Sequence, residues 1–130
     1  MRVIVSGSRD WAGIYGESRV QAVLNTLLTL ASTLGTRLTI VHGGCPSGAD
    51  AVADRWCLRR EDQVDMEVFE PDWRSLGKRA GPVRNQAMVE RGADMCLVFM
   101  KDGSRGATIT ASLAREARIP TYIVTWEEPE

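Results

Sequence analysis

Apolar and polar residues follow two different spacings along the chain, and the two spacings alternate. Short β-branched and apolar runs predict strands over residues 2–6, 38–42, 66–69, 95–100 and 121–125. Between them, helical spacing predicts four helices. The first ends at Gly35, the second spans about 49–60, the third runs from Pro82 to near Gly92, and the fourth spans 107–118. This alternation of five strands with four helices predicts an α/β domain with helices on both faces of a mainly parallel sheet.

The first predicted helix carries more apolar surface than one sheet contact needs. Ser18 and Gln21 have the spacing of a capping box near its start. Its apolar side chains are Val20, Val23, Leu24, Leu27, Leu28, Leu30 and Leu34. The excess predicts a homodimer or a higher even assembly, in which the patch of one copy contacts that of another. The alternative is that neighbouring helices of the same domain cover these leucines.

Composition limits the class of protein. With 130 residues, 44% of them hydrophobic, the chain fits one domain over residues 1–130. The formal net charge of −1 argues against a nucleic-acid coat protein, because such binding depends on a basic surface. No apolar run has the length of a membrane span, and the chain begins with a strand, so we expect a cytoplasmic protein without a membrane partner. The acidic tail, residues 127–130, is expected to be solvated.

Three cysteines, Cys45, Cys57 and Cys96, are widely spaced and have no histidine at ligand spacing. Neither a disulfide framework nor a zinc site is predicted from such a pattern. We expect reduced thiols and no metal.

The segment His42 to Asp50 joins a predicted strand directly to a predicted helix. Gly43, Gly44 and Gly48 permit tight turns and close approach of the backbone, and Ser47 or Asp50 can cap the helix. The first amides of that helix have no internal acceptor and favour an anion. The alternative is a tight turn without a ligand.

Four loops share one edge of the predicted sheet. Loops that follow parallel strands emerge at the carboxyl edge, where ligands bind in open α/β sheets. Polar donors of these loops suit phosphate or ribose oxygens, namely Ser6, Ser8, Arg9, Ser47, Ser104 and Arg105. The backbone amides expected to contact phosphate are those of Gly43, Gly44 and Gly48, with Ser104, Arg105 and Gly106 as the second group. No GxGxxG motif or Walker lysine is present, so a standard dehydrogenase or P-loop NTPase is disfavoured.

Basic residues concentrate between Arg74 and Arg84, where Lys78 and Arg79 also occur and no acid intervenes. This run is either a solvated face or a source of cations for the same edge. Trp73 either stacks on a base or plugs the edge of the core, and the plug is favoured. For His42, a structural role beside the glycine pair is favoured over catalysis, and the sequence assigns no catalytic residue.

Several motifs taken together resemble the YspA/cpYpsA-related family of the SLOG superfamily. They are Gly7-Ser8-Arg9, His42-Gly43-Gly44, Ser47 to Asp50 with Ala53, Trp73, residues 77–82 with Arg84-Asn85, and Ser104-Arg105-Gly106. The resemblance implies a Rossmann-like three-layer sandwich that binds a nucleotide or nucleotide-derived ligand, with no other cofactor identified. The ligand-binding residues expected on both grounds are Ser6, Gly7, Ser8, Arg9, Gly43, Gly44, Ser47, Gly48, Asp50, Trp73, Lys78, Arg79, Arg84, Asn85, Gly103, Ser104, Arg105, Gly106 and Thr108.

The superfamily includes LOG phosphoribohydrolases, which release a base from a nucleoside monophosphate, and the DprA DNA-processing proteins. LOG enzymes carry PGGxGTxxE after the fourth strand, and this chain has Thr110 where the glutamate belongs. Asp50 and Asp54 are alternative carboxylates, although both also suit the start of a helix. We therefore expect binding rather than N-glycosidic hydrolysis. DprA-like binding of single-stranded nucleic acid is a third hypothesis, which the near-neutral charge disfavours.

Overall fold

A computed structural model describes residues 1–126, so the predicted solvated tail lies outside the described residues. The strands are β1 Arg2–Gly7, β2 Leu38–His42, β3 Val64–Val68, β4 Met95–Met100 and β5 Thr121–Thr125. The helices are α1 Gly13–Thr33, α2 Gly48–Leu58, α3 Trp73–Leu76, α4 Ala80–Arg91 and α5 Arg105–Glu116, with a 3₁₀ turn at Gly77–Arg79.

All five strands are parallel and lie in the order β3-β2-β1-β4-β5. The predicted Rossmann-like α/β fold is confirmed. Strand order reverses between β1 and β4, where Val5 lies beside Leu97 in the register. Loops that leave neighbouring strands in opposite directions open a crevice at such a switch point, and this crevice is where ligands bind in open parallel sheets.

Alternation along the strands divides the core into two layers. Val3 and Val5 point to the α1 and α2 side, whereas Ile4 points to the α4 and α5 side. All three side chains are fully buried. Because both faces of the central strands are covered, these strands are apolar at nearly every position, as their sequences indicated.

Several predicted boundaries are wrong. α1 begins at Gly13 with Ala12 as N-cap and no side-chain cap, so Ser18 lies within the helix and the predicted capping box is not formed. β3 begins at Val64 rather than at residue 66, and α5 begins at Arg105 rather than at residue 107. The segment predicted as a long polar loop contains α3, whose first turn is closed by the Ser75 N–H donating to Asp72 Oδ1 at 3.1 Å.

The leucines of α1 divide into buried and exposed sets. Leu24 and Leu27 are buried, and Leu28 packs against the same core. Leu30 and Leu34 remain 42% and 64% exposed. The domain itself therefore covers most of the apolar surface that suggested an α1-mediated assembly. Within residues 1–126, no helix is both long enough and apolar enough to cross a bilayer.

Candidate functional site

A cavity of about 1010 Å³ opens at the carboxyl edge of the sheet. It lies between the loops that follow β1, β2, β3 and β4 and the start of α4. Pockets of roughly 300–1,000 Å³ hold most small organic ligands, so this one accommodates a nucleotide-sized molecule. The predicted site residues that line it are Ser6, Gly7, Arg9, Gly43, Gly44, Ser47, Asp50, Trp73, Lys78, Arg84, Asn85, Ser104 and Gly106.

Six predicted site residues lie outside this lining: Ser8, Gly48, Arg79, Gly103, Arg105 and Thr108. Ser8 is buried, and its Oγ accepts the Lys101 N–H at 2.9 Å, which ties the β1 loop to the β4 loop. Gly48 has φ +72°, and a Cβ there would lie 2.3 Å from the Ser8 carbonyl oxygen. Ser8 therefore joins the β1 loop to the β4 loop, and Gly48 allows the start of α2 to approach the β1 loop. The other four are exposed beside the cavity.

The amides of the β2–α2 loop already have acceptors in the protein. The Gly43 and Cys45 N–H groups donate to Asp50 Oδ2 at 3.1 and 3.3 Å. The Gly44 N–H donates to His42 Nδ1 at 3.0 Å. Contact between phosphate and the Gly43 or Gly44 amides, as predicted, would require these bonds to break. Asp50 closes this loop instead of capping α2, and the side chain of Ser47, the N-cap residue, makes no capping bond.

His42 supports the loop from below the cavity. It is buried, and because Nδ1 accepts from Gly44, the proton of the neutral ring lies on Nε2. Nε2 then donates to Asp54 Oδ1 at 3.0 Å. This agrees with the predicted structural role of His42. Asp54 is engaged by the histidine and does not line the cavity, so it is a poor substitute for the LOG glutamate.

Asp50, which is buried, and Arg84, which is partly buried, are the oppositely charged residues of one wall of the cavity. The Arg84 guanidinium donates to the Gly43 carbonyl oxygen and, through Nε, to Asn85 Oδ1 at 2.7 Å. Burial raises the pKa of Asp50, while the Arg84 guanidinium and the hydrogen bonds from the Cys45 and Gly43 amides oppose that rise. Burial likewise lowers the pKa of Arg84, and the Asp50 carboxylate opposes that change. Each group thus reduces the cost of burying the other's charge.

The β4–α5 loop presents donors that its own side chains do not satisfy. Ser104 is the N-cap of α5 and makes no side-chain cap bond. The hydroxyl of Thr108 donates back to the Ser104 carbonyl oxygen at 2.8 Å, within the first turn of α5. The first amides of α5 have no partner inside the helix, and the positive end of the helix dipole lies there. Ser104 and Gly106 line the cavity, so this terminus meets it directly.

Trp73 is 50% exposed, so its predicted role as a plug of the core is wrong. It begins α3, approaches Gly81 and lines the cavity. The absence of a side chain at Gly81 leaves room for the edge of the ring, because a Cβ there would lie 3.6 Å from Trp73 Cη2. Apolar atoms of Pro82, Met88 and Ile109 line the same cavity.

Sequence reasoning missed Asp10, Glu70 and Ile109 as lining residues. Asp10 follows Arg9, and Glu70 lies two residues after β3, so position after a strand was the available signal. The charged side chains of the lining are Arg9, Lys78, Arg84, Asp10, Asp50 and Glu70. Thr110 also lines the cavity, and its hydroxyl donates to the Gly106 carbonyl oxygen at 3.2 Å. The position of the LOG glutamate is thus held by a hydroxyl that supports α5.

Comparison with known proteins identifies a family and a phage relative. The profile described as "YAcAr: YspA, cpYpsA-related SLOG family" matches residues 1–75, which include β1, β2 and their loops. "Gene 61 protein" of Mycobacterium phage D29 is 38% identical over 122 residues, which make up 92% of each chain. No solved structure gives a significant match.

Proposed function

Since the chain belongs to the YspA, cpYpsA-related SLOG family, we propose that the cavity at the carboxyl edge binds a nucleotide or nucleotide-derived ligand. The observation that carries this proposal is the N-terminus of α5. Its cap Ser104 makes no side-chain bond, and the amide-bearing first turn meets a cavity of nucleotide size. A phosphate placed there is favoured by both the free amides and the helix dipole.

The cations of the cavity support the same location for phosphate. Arg9 and Lys78 line the cavity and are exposed, so each can turn toward an anion without losing a buried partner. Arg84 is engaged with Gly43 and Asn85 and acts mainly to hold the opposite wall. The phosphate therefore lies nearer to α5 than to the glycines of the β2–α2 loop.

Trp73 supplies a surface for the base. Half of the ring is exposed, and it shares the cavity with Pro82 and Ile109. A half-exposed aromatic ring in a cavity suits stacking on a heterocycle. The base then occupies the α3 side of the cavity and the phosphate occupies the α5 side.

The arrangement favours binding over N-glycosidic hydrolysis. Cleavage of a glycosidic bond passes through a cation-like sugar, which a nearby carboxylate stabilises. At the position of the LOG glutamate this chain has the Thr110 hydroxyl, and Asp50 is committed to two loop amides. Asp10 and Glu70 also line the cavity and supply carboxylates. Hydrolysis is therefore the alternative function.

The test is a binding screen with nucleoside mono-, di- and triphosphates, dinucleotides and ADP-ribose, first by thermal shift and then by calorimetry. A ligand at about 100 times its Kd stabilises the fold by roughly 2.7 kcal/mol. In Gly106→Val the added side chain meets no protein atom and occupies space beside the proposed phosphate site. We therefore expect the affinity to fall at least about tenfold, or about 1.4 kcal/mol.

Ser112→Val is the matched control, because Ser112 lies on the exposed side of α5 outside the cavity lining. Equal affinity in the two variants would contradict a phosphate site at α5. Chromatography of the same mixtures measures free base, and we expect none above a protein-free blank. Steady release of base would instead favour the hydrolase.

A further inference from the structure

The two edges of the sheet differ in how they are protected. On β3, Asp65 accepts from Arg37 Nε at 2.9 Å, and Glu67 pairs with Arg2 and Arg91. Charged side chains on an edge strand oppose pairing with another chain. β5 has the sequence Thr-Tyr-Ile-Val-Thr and carries no charge. Within residues 1–126, no strand pairs with its outer side.

The backbone of β5 presents an ordered set of hydrogen-bonding groups to that outer side. The Pro120 carbonyl oxygen accepts the Cys96 N–H at 2.8 Å, and the Trp126 N–H donates to the Met100 oxygen at 3.0 Å. Both residues therefore point toward β4. Backbone groups alternate in direction along a strand, so those of Thr121, Ile123 and Thr125 point outward.

We propose that β5 pairs antiparallel with β5 of a second copy of this chain, about a two-fold axis at Ile123. A symmetric pairing that is centred on a hydrogen-bonded pair has a central residue whose N–H and C=O point outward, and Ile123 is that residue at the middle of β5. The two Ile123 residues then exchange both of their backbone bonds. Thr121 of each copy does the same with Thr125 of the other.

The side chains of β5 are self-complementary in this register. Tyr122, 54% exposed, lies opposite Val124, and Ile123, 37% exposed, lies opposite its own copy. Thr121 lies opposite Thr125. Aromatic with β-branched, β-branched with β-branched, and threonine with threonine are all favourable cross-strand pairs. A single uncharged strand thus supplies both halves of the interface. A register shifted by two residues would lose two of these side-chain pairs.

Sedimentation equilibrium at micromolar concentration tests the proposal on the full chain. We expect twice the monomer mass of 14.3 kDa. Ile123→Lys, which sets two like charges face to face, is expected to give the monomer with unchanged far-ultraviolet circular dichroism. Leu34→Lys is the matched control on the exposed end of α1 and is expected to remain dimeric.

A monomeric wild-type chain would overturn the proposal, as would a dimer that survives Ile123→Lys and is lost in Leu34→Lys. A second variant tests the backbone pairing itself. Ile123→Pro removes the outward N–H of residue 123 without removing a bond to β4, and it is expected to give the monomer. A dimer that persists in this variant would contradict the pairing.

Discussion

The two glycine-rich loops of the cavity resemble each other in sequence and differ in what their amides do. In the β2–α2 loop, Asp50 and His42 accept from three consecutive amides. In the β4–α5 loop, the cap Ser104 makes no side-chain bond and the first turn of α5 is left for an external acceptor. The first loop holds its own backbone together, and the second is the one that we propose receives the phosphate. Glycine content alone does not distinguish them, whereas the partners of the amide donors do.

The same substitution in the two loops gives the sharpest test of this difference. Gly48→Ala places a methyl group 2.3 Å from the Ser8 carbonyl oxygen, at φ +72°. We expect it to lower the free energy of unfolding by roughly 2–4 kcal/mol, from backbone strain plus overlap. Gly106→Ala adds its methyl group to open space within α5 and is expected to leave the stability unchanged or raise it by up to about 1 kcal/mol. Urea unfolding of both variants measures the contrast.

A second test removes the internal acceptor of the β2–α2 loop. Asp50→Ala leaves the Gly43 and Cys45 amides without their partner and is expected to cost roughly 1–3 kcal/mol. Asp50→Asn keeps an oxygen at this position and is expected to cost less. If both variants were as stable as the wild type, the carboxylate would not hold the loop.

The pH dependence of that comparison has a definite sign. Burial raises the pKa of Asp50 in the folded state above its ordinary value of 3.8. The stability gained from the protonated carboxyl is complete below pH 3.8 and is lost as the pH rises through the raised pKa. The stability of the wild type relative to Asp50→Asn is therefore expected to fall with rising pH in this window and then level off. A rise over the same window would contradict the assignment.

The smallest effect concerns the thiols. Burial raises the pKa of Cys57 and of Cys96 to about 12 each, whereas Cys45 lies at the cavity. Iodoacetamide at neutral pH is expected to modify Cys45 alone in the folded protein, because alkylation requires an accessible thiolate. A ligand found in the binding screen should slow this reaction by filling the cavity. Mass spectrometry of the digested protein identifies the modified residue, and unaltered labelling at saturating ligand would place the ligand elsewhere.

Much of the fold could be predicted from the sequence, because the periods of strands and helices differ. The bounds of β2, β4 and β5 agree with the apolar runs at 38–42, 95–100 and 121–125. α3 was missed since its signal is one side-chain cap at Asp72, and Ser18 was misassigned because a capping pattern is also compatible with a helix interior.

The site was less predictable because its roles depend on contacts between distant elements. The loops were assigned to the correct edge by topology alone. The acceptor function of Asp50, however, depends on how the loop folds back, and the exposure of Trp73 depends on the path of α3 past Gly81. Residue type and spacing do not encode either contact.

The unequal edges of the sheet also limit how far an assembly can grow. If β5 pairs with itself, the resulting ten-stranded sheet exposes only β3 at its two ends, since each copy contributes five strands. The ion pairs on β3 oppose addition of a third chain there. Polymerisation into a fibre needs two edge strands per molecule that can each pair with another chain. In the described sheet only β5 is an edge strand without charged side chains. If the proposed pairing forms, association therefore stops at the dimer, because the charged side chains of β3 oppose the addition of a further chain.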